Sequence, residues 1–212
     1  MNALARQIQL SLFQDSQLDG SRHRGRMPSM TDPSSPATLA RMIRQSVPLL
    51  TRFLRGFDEG NRTSQRPGLP NHPAWILGHC AFTMAKLASL AGGPTPPERD
   101  FAPGNFPSSD RLPGTTPDRC FIEDIAKDSH PIDDSRRYPS LARATEIFER
   151  AASDLANFIE SLPPAQLERL IDWNGSPQRI DDMAMRLSFH NGMHAGQLTD
   201  LRRALKFDRV LP

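Results

Sequence analysis

Two histidines one helical turn apart, His190 and His194 in SFHNGMHAGQLTDLRRAL, are the residues of this chain best placed for chemistry. A spacing of i, i+4 puts both imidazoles on one face of a helix, close enough to grip one ion. A third, His79 in NHPAWILGHCAF, lies in a second helical pattern upstream. Met183, Leu187, His190, His194, Leu198, Leu201 and Leu205 recur in steps of three and four, so the pair stands where core leucines belong. Ile76, His79, Thr83, Leu87 and Leu90 make a second stripe of this kind. Imidazoles aimed into an apolar interior are costly unless something satisfies them. Simple hydrogen bonding in the core is one solution; a divalent ion shared by His79, His190 and His194 is the one favoured by two such segments together.

Three neutral imidazoles would leave the ion its full charge and at least one open position, the layout of catalytic rather than structural zinc sites. Zinc is the first expectation and nickel the second, since histidine accepts both. Water bound there can fall to a pKa of about 7, and a thiol or an enolate oxygen could take the same position. The zinc-peptidase motif HExxH is not met, because Asn191 stands where its glutamate base would be. GxSxG, P-loop and dinucleotide-binding patterns are absent from the sequence too. Two neighbours are candidates for catalytic roles. His72, two turns before His79 on roughly the same side, could reach a substrate at the pocket mouth, or else is a helix N-terminal residue near solvent. Gln197, three residues after His194, could orient a ligand or a bound water, or else edge the core. Trp75 and Trp173 read as packing anchors, and Cys80 as small apolar filler.

These side chains need helices to hold them. A first helix is predicted from about Ala37 to Phe57, with Leu39, Met42, Ile43, Leu50, Phe53 and Phe57 on one side and Pro48 bending it. The second begins at Asn71 or His72 as cap, with Pro73 in its first turn, and stops at Gly92-Gly93. The third spans about Ser140 to Leu162, with a stripe of Leu141, Thr145, Phe148, Ala152, Leu155 and Ile159, and ends at Pro163-Pro164. A short AQLERL turn and a DWNGSP loop precede the fourth, from about Asp181 to Lys206. No period-two strand pattern and no internal repeat is visible. The fold class is therefore all-α, a four-helix bundle over residues 37–207.

Between the second and third helices, residues 93–137 form a proline-rich connection in which only CFIEDIAKD looks helical. Connections of this length join helices that point the same way. Residues 1–36 read as a disordered or loosely attached tail, a disordered arm or an upstream extension of the reading frame, without an apolar signal segment.

At 212 residues the chain suits one domain, and a net charge of +2 gives no electrostatic case for nucleic acid or an anionic membrane. No apolar run is long enough for a bilayer. Cys80 and Cys120 are too few and too far apart for a disulfide framework, which fits a reducing cytoplasm.

NHPAWILGHCAF and the HxxxHxGQ block in HNGMHAGQLTDLRRAL together resemble the DinB-like family of metal-binding four-helix bundles, over about residues 37–207. The resemblance implies one zinc or nickel ion on His79, His190 and His194 with water completing the shell. It also implies an up-down-down-up bundle, frequently a homodimer. Characterised relatives include bacillithiol S-transferases and mycothiol-dependent maleylpyruvate isomerases, so it points to a metal-dependent enzyme using a small substrate or low-molecular-weight thiol. A non-catalytic metal-binding stress-response or interaction protein is the alternative. The long middle connection and the tail depart from typical members.

Overall fold

A computed structural model describes residues 35–101, 124–125 and 128–210. The expected tail, apart from its last residues, and the middle of the proline-rich connection, Cys120 included, lie outside the described residues. Four long helices carry the core: α1 (Pro36–Thr51), α2 (Pro73–Leu90), α4 (Leu141–Ser161) and α6 (Ile180–Ala204). Short helices α3 (Glu98–Phe101) and α5 (Pro164–Leu167) and a two-stranded sheet, β1 (Leu170–Trp173) and β2 (Ser176–Arg179), complete the described elements. Helix α1 packs against α4 and α6, and α2 packs against the same two.

Local chemistry sets the helix starts. Ser35 Oγ accepts a hydrogen bond from the Thr38 N–H ahead of Pro36, and Ser140 Oγ does the same for Arg143. Gly92, at φ +86°, gives α2 its left-handed exit, and Pro163 follows the last residue of the α4 cap. Helix α2 is buried on nearly every side, from Ala74 to Ala88, and is the central element. Cys80 is fully buried there, and burial pushes its thiol well above the ordinary range. No helix among the described residues is long and apolar enough to cross a membrane.

Several expectations need correction. Helix α1 ends at Thr51 and passes into a single 3-10 turn, Arg52–Leu54, rather than running to Phe57. Pro48 has no N–H to donate, and the regular ladder stops within one turn of it. Met42, placed on the core stripe, is 38% exposed, while Ala40 and Ser46 are buried. The chain is not free of strands. Residues 170–179 form an antiparallel hairpin in which Trp173 pairs with Ser176 across Asn174 and Gly175, both at positive φ. Asn-Gly is the favoured pair for such a tight turn, and strands of four residues are too short to show alternation.

The proline-rich connection also holds more structure than CFIEDIAKD alone. Its first residues enter α3, where buried Asp100 accepts hydrogen bonds from Arg143 Nη2 at 2.7 Å and Arg150 Nη2 at 2.6 Å, both on α4. Asp124 and Ile125 are helical, in line with the expected short helix, and a 3-10 turn covers Ser135–Arg137. Arg62, 1% exposed, gathers the carbonyls of Glu59, Ser135 and Pro139, tying the loop before α2 to the entry of α4.

Candidate metal centre

His79 on α2 meets His190 and His194 on α6, and one ring nitrogen from each lies within 4.8 Å of the others. Ring centroids are 5.1 Å apart for His79 and His190, 5.2 Å for His79 and His194, and 4.5 Å for the pair on α6. All three sit on the core side of their helices, with His194 buried and the other two half-buried.

Hydrogen bonds choose the tautomers. His79 Nδ1–H donates to the Ile125 carbonyl at 2.7 Å, which leaves the Nε2 lone pair free. His194 Nδ1–H donates to Gln197 Oε1 at 2.8 Å, and its Nε2 is likewise a lone pair. That atom faces His190 Nε2 at 3.1 Å. Either His190 donates a proton across this gap or the two lone pairs share one cation. Tetrahedral zinc with bonds of about 2.0–2.1 Å separates its nitrogen ligands by roughly 3.3 Å. The spacing and the donor set therefore fit a divalent metal site. His190 Nδ1 is buried and has no hydrogen-bond partner among the described residues.

Outer partners fix the rings. Gln197 Oε1 also accepts from Asn71 Nδ2 at 2.9 Å, so the start of α2 clamps the residue that orients His194. Trp75 stacks on His79, with centroids 4.5 Å apart and planes within 10°. The connection's last stretch straps this end of α2. Besides the Ile125 carbonyl, Ser129 Oγ accepts from Trp75 Nε1 at 3.0 Å, and the Ile132 carbonyl accepts from His72 Nε2 at 3.1 Å.

His72 is not near solvent as expected; it is fully buried. Its Nδ1 caps α2 by accepting from the Trp75 N–H at 3.2 Å, and its ring stands edge-on to Tyr138. Both ring nitrogens are thus committed to structure. Asn191, in the position of the peptidase base, is buried and donates to Ser46 Oγ on α1 at 2.9 Å.

Burial holds the histidines in the neutral form that metal binding needs. His190 is lowered to about 3, by desolvation first and then by His194 and His79. His194 and His72 fall to about 4, and His79 is also lowered, all mainly through desolvation. These folded values lie below the unfolded value near 6.5. Between the two, the unfolded chain binds more protons, so stability rises with pH across that window and is unaffected above it. The metal-free protein is expected to keep one melting temperature from pH 8 to 7 and to lose stability steadily from pH 6.5 towards 4.5. The limiting slope is about 1.4 kcal/mol per pH unit for each group. Calorimetric melting of chelator-treated protein checks this, and a flat profile down to pH 5 would contradict it.

Beside His79 and His190 opens a cavity of about 180 Å³, lined further by Phe82, Thr83, Lys86, Met183, Arg186 and Leu187 and by Trp173 and Asn174 of the hairpin. Sequence reasoning missed the Ile125 carbonyl and this cavity, and offered Asn71 only as a cap for the second helix. The cavity's trace in the sequence is Lys86 two turns after His79 and Arg186 one turn before His190.

The sequence profile of the DinB superfamily matches residues 42–198. Neither a curated protein nor a solved structure matches the chain. By that profile, which takes in all three histidines, the chain belongs to the DinB superfamily.

Proposed function

We propose that this DinB-superfamily chain is a metal-dependent enzyme that holds one zinc or nickel ion on the Nε2 atoms of His79, His190 and His194 and acts on a small substrate, by thiol transfer or thiol-dependent isomerisation. The observation that carries the reading is the 3.1 Å approach of two Nε2 atoms whose site opens onto a cavity. When bound, a divalent ion would supply a lowered pKa to a coordinated water or thiol. The chain's own residues do the rest. Gln197 and the Ile125 carbonyl keep the Nδ1 protons of His194 and His79, which aims both Nε2 lone pairs inward. Trp75 covers one face of His79 and excludes water from it. The cavity walls position a substrate against the open side.

The finer architecture belongs to the same reading: an up-down-down-up bundle, with the proline-rich connection crossing between two helices that point the same way, working in a reducing cytoplasm. A homodimer is supported by exposed apolar side chains on two helices that pack together, Phe189 (70% exposed) and Met193 on α6 and Leu49 on α1. Gly192 and Gly196 lie on α6 too, with open space where a Cβ would stand. Sedimentation equilibrium should then give a dimer that Phe189→Glu converts to monomer, and a monomeric wild type would refute it.

Cobalt-substituted protein tests the enzymatic reading. Azide or a small thiol should change its visible spectrum, because the d–d bands report coordination geometry. A spectrum indifferent to every added anion and thiol would favour the alternative, a non-catalytic metal-binding stress-response or interaction protein.

A further inference from the structure

The cavity beside the histidines has a charge pattern of its own. Phe82, Met183 and Leu187 give it apolar walls, and no acidic side chain lines it among the described residues. Its two ionisable groups other than histidine are both cations, Lys86 on α2 and Arg186 on α6. Lys86 Nζ donates to Asn174 Oδ1 at 2.6 Å and lies 4.8 Å from the Trp173 ring centroid, so the hairpin tip holds the ammonium at the cavity edge. Those two groups fix its position without neutralising it.

Distance along the helices gives the pocket a direction. Lys86 follows His79 by seven residues, about 10 Å of helix rise, and Arg186 precedes His190 by four, about 6 Å. One end of the cavity therefore carries imidazole and the other carries positive charge. A guanidinium fork matches a planar carboxylate, and the apolar walls between the ends match hydrocarbon. An inorganic anion would leave those walls uncovered. Counting about 30 Å³ per water, the space takes a ligand of roughly six to a dozen non-hydrogen atoms.

We infer that this cavity binds a small organic carboxylate, with the carboxylate at Lys86 and Arg186, the carbon chain against Phe82 and Leu187, and the far end presented to His79 and His190. The direction of the far end rests on the metal-centre reading above; carboxylate binding at Lys86 and Arg186 does not.

The test uses the full chain, zinc-loaded and chelator-treated, titrated by calorimetry with 6-mercaptohexanoate, 6-mercaptohexanol and hexanoate. With zinc, the mercapto acid should bind about tenfold tighter than the mercapto alcohol, the gain expected of a charge-assisted contact. The double substitution Lys86→Met, Arg186→Met should erase that difference while leaving mercaptohexanol affinity and metal content unchanged. Equal affinity of acid and alcohol in the wild type overturns the inference, as does a preference that survives the double substitution. Hexanoate separates this from the metal reading. If it binds chelator-treated wild type and loses affinity in the double variant, the carboxylate site stands even where no thiol perturbs the metal. If it binds both proteins alike, the carboxylate site fails and the metal reading is untouched.

Discussion

Alanine at His190 or His194 is expected to abolish the metal binding proposed for the three-histidine site. Each supplies one of three Nε2 donors that the fold brings together, and no other His, Cys, Asp or Glu among the described residues joins them in that cluster. Loss of an outer partner at such sites costs about 10–100-fold in affinity; loss of a donor atom should exceed the upper end of that range. After dialysis, plasma mass spectrometry should find about one ion per chain in untagged wild type and almost none in either variant. Circular dichroism at pH 7.5 should show both still folded, because the rings are neutral there and deleting one leaves no buried charge. Equal metal content in all three proteins would refute the site.

Asp100→Ala is expected to be strongly destabilising although it lies away from the histidines. The carboxylate side chain is 3% exposed and accepts hydrogen bonds from Arg143 Nη2, Arg150 Nε and Arg150 Nη2 at 2.6–3.0 Å. The Arg143 side chain is itself only 4% exposed, so removing Asp100 takes away its buried carboxylate and leaves the 55% exposed Glu146, at 2.6 Å from Arg143 and 3.1 Å from Arg150, among the remaining partners. Breaking a buried pair from one side costs about 3–5 kcal/mol, and with Glu146 retained the lower end, about 3 kcal/mol, is expected, or a fall of roughly 6–12 °C in melting temperature for a chain of this size. The loss should reach the start of the proline-rich connection, since Asp100 is its anchor to α4 and the neighbouring Phe101 meets Phe82 at 6.0 Å. Asp100→Asn, which keeps the shape and one acceptor, should cost less. A melting temperature within 2 °C of wild type for Asp100→Ala would show that the network contributes nothing.

What could be read without coordinates was local. Pro73 behind a capping residue, Ser140 before an amphipathic run, Gly92 at a helix exit and Pro163 at another act within a few residues of themselves, and the structure follows each of them. The i, i+4 spacing of His190 and His194 is local as well, and it put both rings on the core face before any contact was known. The Asn-Gly pair of the hairpin was also a local signal. It carries little weight alone because its flanks are only four residues each, and the second, Ser176–Arg179, has no apolar side chain except Pro177, so no alternation shows.

The sequence by itself determined four helical segments, the faces on which three histidines stand, and the family to which their motifs belong. Tertiary structure alone decided who meets whom. The Ile125 carbonyl sets the tautomer of a histidine 46 residues earlier, Asn71 steadies a glutamine 126 residues later, and Asp100 selects Arg143 and Arg150 among many arginines. Cap and periodicity are properties of one turn of chain, whereas a hydrogen bond or an ion pair needs two groups to arrive within 3 Å along a path that composition does not encode. His72 shows the difference in a single residue. Its position at a helix start was legible, and its complete burial under Ile132 and Tyr138 was not, because the covering residues come from the far end of the long connection.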